Sequence, residues 1–498
     1  MNVNPITRLD YPDPDVIRVE DTYYMVSTTM HFMPGCEILQ SFDLVHWEHA
    51  TYVYETLDHT DAQQLKSGQN IYGQGMWAAS LRYHEGRFYI CFVANDTRKT
   101  YLYTSEKIDG PWKKQLIEGF YHDGSLLFDE DGRNYIVYGN DEIWITELNE
   151  DLTAPKKDGL HRLLVSDHKN PELGYEGSHI QKINGYYYIF LIHSQRDRWM
   201  RTEACFYSDS LEGEFTGGDV LCDDRGYCGQ GVAQGGIVDT PDGKWYAMLF
   251  QDSGAVGRIP ILVPVTWKDH FPVFGQNGHV PEEIEVHSTR PGYIYQPLVG
   301  SDDFCNGLLP RWQFNHDPDP RYYHLDALQG TYTITTREVC TELTQAVNTL
   351  TQRMSYPSCA AEVTVDASAL KEGDVAGLCA LQSCYAAVGI TKHHGKYEVL
   401  MLDKKEDGIL DMTERTVVES HQMDFRLEAD FCNMKDEARC YYRVNKGDWL
   451  PIGTVHKLYF KLDHFTGCRF GLFCYAAEET GGSACFRDFK YYDVDEIS

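Results

Sequence analysis

Tyr11-Pro12-Asp13-Pro14-Asp15 stands just ahead of a strand-like run, Asp21-Thr22-Tyr23-Tyr24-Met25, and this pairing of a polar or aromatic residue with a Tyr-rich run returns along the chain. The later runs are Gly86-Arg87-Phe88-Tyr89-Ile90, Gly132-Arg133-Asn134-Tyr135-Ile136, Gly185-Tyr186-Tyr187-Tyr188-Ile189 and Gly243-Lys244-Trp245-Tyr246-Ala247. Each reads as the second strand of a tight hairpin. Counting back about eleven or twelve residues from the tyrosine of each run lands on Asp13, Trp77, Asp123, Glu176 and Gln234, an internal repeat of the kind propellers show. The tyrosines lie about 46 to 65 residues apart, the length of a four-stranded blade with loop insertions. Five repeats therefore predict a five-bladed β-propeller over residues 1–300. The innermost strand of every blade lines the central channel, so residues at one repeated position converge on the axis.

Beyond Asp302-Asp303-Phe304 the repeat stops and a different alternation begins, with Ala360-Ala361-Glu362-Val363-Thr364-Val365 and Tyr397-Glu398-Val399-Leu400-Met401-Leu402 as clear strand patterns. Phe470-Gly471-Leu472-Phe473 and Phe486-Arg487-Asp488-Phe489-Lys490-Tyr491-Tyr492 continue it. This predicts a β-sandwich over residues 301–498, so the fold class is all-β, a propeller followed by a C-terminal sandwich.

The formal net charge of -31 repels nucleic acid and anionic lipid and suits a neutral or cationic partner. No run reaches the roughly 18 apolar residues of a membrane span, and Met1-Asn2-Val3-Asn4-Pro5 opens without a basic and apolar signal segment, so a cytoplasmic protein is expected. The fifteen cysteines are scattered singly without Cys-x-x-Cys spacing, which predicts neither a disulfide framework nor a zinc site.

Two carboxyl groups facing each other across a pocket can break a glycosidic bond, one as the protonated acid on the leaving oxygen, the other as the base on water. Asp13 and Glu176 are the candidate pair. Asp123 is the third carboxylate, whose negative charge would raise the pKa of the acid and keep it protonated. Turn chemistry explains any one such Asp, but not three at one repeat position. Trp77 offers an aromatic face to a sugar or packs in the core. Arg258 could fork onto vicinal hydroxyls, orient a carboxylate, or form a structural ion pair. Phe32, in the apolar run Met30-His31-Phe32-Met33-Pro34-Gly35-Cys36, walls the pocket or packs in the core.

At these residues the chain resembles glycoside hydrolase family 43, the inverting β-xylosidases and α-L-arabinofuranosidases built on a five-bladed propeller. Tyr11-Pro12-Asp13-Pro14-Asp15 is similar to the general-base motif of that family, with Tyr11 where many members carry His. His122-Asp123-Gly124-Ser125-Leu126 resembles the segment with the pKa-modulating Asp, and Tyr175-Glu176-Gly177-Ser178-His179 the general-acid segment. Met76-Trp77-Ala78-Ala79-Ser80 is similar to the Trp-Ala-Pro stretch with Ala79 for Pro, and Gly257-Arg258 resembles the sugar-contacting Arg. Asn348-Thr349-Leu350-Thr351-Gln352-Arg353 and Phe465-Thr466-Gly467 resemble the C-terminal sandwich of the xylosidase-like members. The resemblance implies that a sandwich loop closes one side of the pocket, with Phe465 as the wall. It also implies a possible structural divalent cation, often calcium, on the axis; members hold it through a His, and the matching position here is Gln234, whose amide oxygen suits calcium. No cofactor is needed for the chemistry. The implied activity is an inverting exo-glycosidase releasing terminal arabinofuranosyl or xylosyl units from small arabinoxylan-derived oligosaccharides. A non-catalytic carbohydrate-binding propeller is the alternative, because one fold hosts many functions.

Overall fold

The computed structural model describes residues 2–461 and 465–493. Regular structure among them is strand, interrupted by four short 3-10 turns. Five antiparallel four-stranded sheets follow one another along the chain, each made of consecutive strands in spatial order, save that a two-residue strand is looped out of the first. Blade I holds Asp15–Val19, Thr22–Val26, Gly35–Ser41 and Glu48–Tyr54; blade II holds Met76–His84, Arg87–Ala94, Lys99–Ser105 and Lys113–Ile117. Blade III is Ser125–Phe128, Asn134–Asn140, Glu142–Leu148 and His161–Ser166; blade IV is Glu176–Ile183, Tyr186–Ser194, Arg201–Ser208 and Thr216–Leu221. Blade V closes the series with Ile237–Asp239, Trp245–Asp252, Arg258–Lys268 and Phe271–Phe274.

The Tyr-rich runs are the second strands. They pair tightly with the first because the turns are two-residue loops of left-handed backbone, as in Glu85-Gly86 and Asn184-Gly185, where φ is +47° and +77°, and +50° and +85°. The apolar faces of neighbouring blades then bury one another, as with Ile38, Tyr54, Ile90, Phe92 and Tyr101 between blades I and II.

On the axis the first strands of blades I to IV are joined through one guanidinium. Arg82 of blade II donates to Asp15 Oδ2 of blade I at 2.8 Å, to Ser125 Oγ and the Leu126 carbonyl of blade III at 2.7 and 2.8 Å, and to the Ile180 carbonyl of blade IV at 3.2 Å. Asp15 is itself 1% exposed and meets His179 Nδ1 at 3.0 Å and the Leu81 amide at 2.7 Å. Burial alone would raise its pKa, but Arg82 and His179 more than offset that and hold the carboxyl below its usual value. Blades V and I meet through Arg18 and Asp239, 2.5 Å apart.

The sandwich stacks a seven-stranded sheet on an eight-stranded one, both antiparallel, around a core that includes Phe314, Leu350, Val363, Phe425, Phe470 and Phe486. The strand patterns read from sequence fall in Ser358–Asp366, Lys396–Lys404, Arg469–Tyr475 and Ser483–Asp493. One edge strand of the eight-stranded sheet comes from the propeller: Phe32–Met33 pairs with Gln313–Asn315, with Phe314 opposite Met33 and Asn315 opposite Phe32. A second joint is Asp10, which is 2% exposed. Its Oδ1 accepts the Arg258 amide at 2.7 Å and its Oδ2 the Gly467 amide at 2.8 Å, so one carboxylate grips a propeller strand and a sandwich loop. Arg353 of the sandwich adds a bond to the Asp10 carbonyl at 2.8 Å and an ion pair with Glu37 at 2.8 Å, its guanidinium 4.1 Å from the Tyr11 ring centroid. All fifteen cysteines are free.

Because both Asp10 oxygens accept backbone N–H groups, an amide there would turn its own donor against one of them. Asp10→Asn is therefore expected to destabilise the fold by about 1–3 kcal/mol, seen as a lower urea midpoint. An unchanged midpoint would show that the clasp adds nothing to stability.

Candidate active site

The repeated position lies at one end of the channel, at or just before the start of each first strand. Asp13 and Asp123 precede their strands by two residues and are held in left-handed backbone at φ +52° and +47°, uncommon for a non-glycine residue. Blades II and IV make the corresponding turn with a bulge: their registers shift between Met76 and Ala79 and between Glu176 and His179. The bulges aim Trp77 and Glu176. Gly177 is required there, since its φ is +64° and a Cβ would stand 2.7 Å from Gln234 Cγ.

Asp13 is 3% exposed and spends both oxygens: Arg258 Nη1 donates to Oδ1 at 2.6 Å and Thr28 Oγ1 to Oδ2 at 2.6 Å. Glu176 is the most open of the three carboxylates, its side chain 23% exposed, and Asn140 Nδ2 donates to its Oε2 at 2.8 Å. Asp123 accepts the Gly177 amide at 2.9 Å, which ties it to the segment carrying Glu176. His122 Nε2 stands 3.5 Å from both Asp123 Oδ2 and Glu176 Oε2.

These contacts set the charges. Burial first, and then the Glu176 and Asp13 carboxylates, push Asp123 up to about 6 against the pull of His122. Burial would lower His122, but Asp123, Glu176 and Asp13 raise it to about 9, so the ring is an imidazolium at neutral pH. Burial would raise Glu176 as well, yet its bond to His122 and the charges of His122, Arg201 and Arg258 hold it below the ordinary glutamate value. Sequence led us to expect Glu176 to be raised by Asp123. The neighbour that decides is His122, whose charge the sequence pattern does not reveal.

Arg258 joins the carboxylates to an aromatic wall. Its guanidinium lies 4.6 Å from the Phe250 ring centroid and 4.2 Å from that of Phe465, and Phe465 meets Trp77 edge to face at 5.3 Å and 76°. Trp77 in turn touches His122 at 5.9 Å and 65°. So Asp13, Asp123, Glu176, Trp77, Arg258 and Phe465 come together. Phe32 does not join their contacts: it is 2% exposed, sits 3.5 Å below the Arg469 guanidinium, and belongs to the joint between the domains. Gln234 packs its side chain beside Gly177, and its backbone N–H donates to buried Glu203 Oε2 at 2.7 Å.

A calcium ion takes six to eight oxygens. Among the described residues no cluster of three His, Cys or carboxylate ligands forms around Gln234, and Asp15 is already paired with the Arg82 cation. Among the described residues the one cluster of three metal-ligating side chains is His122, Asp123 and Glu176. A metal there would occupy the Glu176 oxygen that Asn140 and His122 now hold. The donor set at Gln234 does not fit a divalent cation.

Thr28, His122, Asn140, Arg201 and Asp252 were not singled out from sequence. Asn140 and Asp252 end second strands and Arg201 begins a third, a second recurring position at the same end of the channel, which the spacing from the Tyr runs could have revealed. A hollow of about 360 Å³ at the opposite mouth contains none of the site residues, and its Arg18 and Lys182 are paired to Asp239 and Asp129. What the carboxylate end offers is one open carboxyl with a proton-bearing imidazolium beside it, and one buried carboxylate on another blade. That arrangement suits general acid–base chemistry on a neutral ligand with an apolar face.

Residues 3–272 match the model for glycosyl hydrolases family 43, and residues 301–492 match that for the beta xylosidase C-terminal concanavalin A-like domain. A beta-xylosidase of Formosa agariphila is 26% identical, the match covering 99% of this chain and 89% of that protein. A bifunctional GH43-CE structure from Bacteroides eggerthii superposes with a TM-score of 0.92 at 42% identity over all of this chain, which spans 64% of that one. A GH43 glycoside hydrolase engineered to display both endo-xylanase and exo-arabinofuranosidase activity superposes at 0.89 with 26% identity, covering 99% of each chain.

Replacing His122 by Ala removes the cation that holds Glu176 down, so the Glu176 pKa is expected to rise; Asp123→Asn removes an anion and should lower it. The side-chain carboxyl resonance of Glu176, followed by 13C NMR across pH, should move in opposite directions in the two variants. Shifts of the same sign would contradict the assignment of charges.

Proposed function

The chain belongs to glycosyl hydrolase family 43, and from that premise we propose that it is an inverting exo-glycosidase that removes terminal α-L-arabinofuranosyl or β-D-xylosyl units from arabinoxylan-derived oligosaccharides. The observation that carries the roles is the contrast between the carboxyls of blades I and IV: Asp13 buried and clamped by Arg258 and Thr28, Glu176 open and beside the His122 imidazolium.

On this reading the terminal sugar lies against Trp77 and Phe465. Glu176 protonates the glycosidic oxygen while Asp13, held as an acceptor, takes a proton from the water that attacks the far face of the anomeric carbon. Arg258 fixes Asp13 in place and offers its remaining donors to a sugar hydroxyl. The acid step consumes one proton, and the His122–Asp123–Glu176 group stores it: on His122 at neutral pH, and on Asp123 as well below about 6. A bound sugar excludes water from Glu176 and favours its neutral form, so the proton moves to where it is used. The relative named beta-xylosidase and the engineered GH43 enzyme that displays exo-arabinofuranosidase activity support the two sugars proposed. The free state of all fifteen cysteines supports a reducing compartment, the cytoplasm, as the place of action.

The anomer released first, followed by NMR, tests the stereochemistry: initial appearance of the inverted sugar is expected, and initial retention would overturn the mechanism. The roles separate by leaving group. Glu176→Ala should slow natural oligosaccharides far more than nitrophenyl glycosides, whose leaving group departs without protonation, whereas Asp13→Ala should lose about 10²- to 10⁴-fold on both. Equal losses for Glu176→Ala on the two substrate types, with nitrophenyl activity kept by Asp13→Ala, would reverse the assignment.

A further inference from the structure

Arg258 has a counterpart. It opens the third strand of blade V and pairs across with Asp252, the last residue of the second strand; in blade IV the same place is held by Arg201, paired across with Ser194. Both guanidiniums lean on the Phe250 ring, at 4.6 Å for Arg258 and 5.3 Å for Arg201, and both reach Asp252, at 3.3 and 3.2 Å. They differ in what they do with their protons. Arg258 gives one to Asp13. Arg201 is 3% exposed, and among the described residues no acceptor takes a hydrogen bond from its guanidinium; its Nε and Nη1 are buried without a hydrogen-bond partner.

A buried guanidinium whose donors go unused carries a desolvation cost that the off-axis contact with Asp252 only partly relieves. Such a group is best explained by an acceptor that arrives with the ligand. Its position says which part of the ligand. Arg201 lies on the blade that carries Glu176, whose cross-strand partner Ile192 is two residues before Ser194, and its charge is among those that hold Glu176 down. Outward from Arg201, the hairpin closed by the Gln195 amide and the Met200 carbonyl at 3.0 Å carries Trp199, half-buried, with its ring centroid 5.4 Å from the Arg201 guanidinium carbon. An aromatic face beside an unspent fork of N–H donors is the chemistry that recognises a pyranose or furanose ring through its apolar face and its hydroxyls.

Resting on Glu176 as the acid, we propose that Arg201 and Trp199 form the subsite for the sugar on the leaving-group side of the bond, Arg201 donating to its hydroxyls and Trp199 covering its ring. Arg258 then serves the departing terminal sugar and the base, and Arg201 the saccharide that remains. The preferred substrates are oligosaccharides, and a nitrophenyl leaving group forgoes the contact.

The test uses the full chain and two substrates, a nitrophenyl xyloside or arabinofuranoside and a linear β-1,4-xylo-oligosaccharide or its arabinosylated form. Arg201→Met is expected to lower kcat/KM on the oligosaccharide at least about tenfold more than on the nitrophenyl glycoside, chiefly through KM, with Arg201→Lys recovering part of the difference. Trp199→Ala, a change at the half-buried rim, should show the same discrimination, and it carries the comparison if Arg201→Met does not fold. Equal losses on both substrates would overturn the proposal. So would an alkaline shift in the basic limb of the pH profile without any change in discrimination, since Arg201 would then act only through the charge on Glu176. A wild-type protein that cleaves neither substrate would remove the glycosidase reading, and this inference with it, before any variant is made.

Discussion

The Arg82 guanidinium is the constraint on which the rest of the propeller depends. It sits on the axis and bonds to blades I, III and IV from blade II, in a place where an unpaired cation, or an unpaired Asp15, could not remain buried. The groups it ties together lie just inside the candidate site carboxylates: Asp15 two residues after Asp13, Ser125 two after Asp123, and Ile180, whose carbonyl it takes, four after Glu176. Fixing the inner layer therefore fixes the phase of the outer one. The three carboxylates do not find each other through their own interactions, which are repulsive; the hub places them.

Above that layer the electrostatics run against the charge of the molecule. The chain carries a formal charge of -31, yet around the three site carboxylates it places His122, Arg201 and Arg258. A neutral sugar gains little from the long-range field and much from fixed local donors. The surplus of acid elsewhere serves solubility, and the local cations allow several carboxylates to share one small volume.

The fold was legible because its signal repeats. Five Tyr runs at blade spacing, each with a turn before it, leave few architectures open, and the recurring position ahead of them named Asp13, Asp123 and Glu176. What the sequence hid is whatever depends on a partner from another blade or domain. Nothing in His122 alone says that its ring lies between two carboxylates, so sequence conveys the upward pull of Asp123 on Glu176 but not the stronger downward pull of His122. Phe32 reads equally as a pocket wall or as core, and sequence does not show that its strand leaves the propeller to pair with Gln313–Asn315. Asp10 reads as an ordinary acidic residue until the amides of Arg258 and Gly467, far apart in sequence, are seen to meet on it. Phe465 was recovered by family resemblance, since no periodicity reaches from the sandwich to the pocket.

The strand Phe32–Met33 covers the edge of the eight-stranded sandwich sheet. A sheet edge is a row of unmet backbone donors and acceptors, and this one is covered by a segment from the other module. Cutting the chain at the linker would therefore not yield two finished parts. The sandwich would be left with an uncovered edge at Gln313–Asn315, open to pairing with a neighbour, and the propeller with an apolar loop in water and an active site missing Phe465. The pair has to be inherited, exchanged or redesigned as one unit, and a recombination breakpoint between them would be selected against even where each half came from a working enzyme.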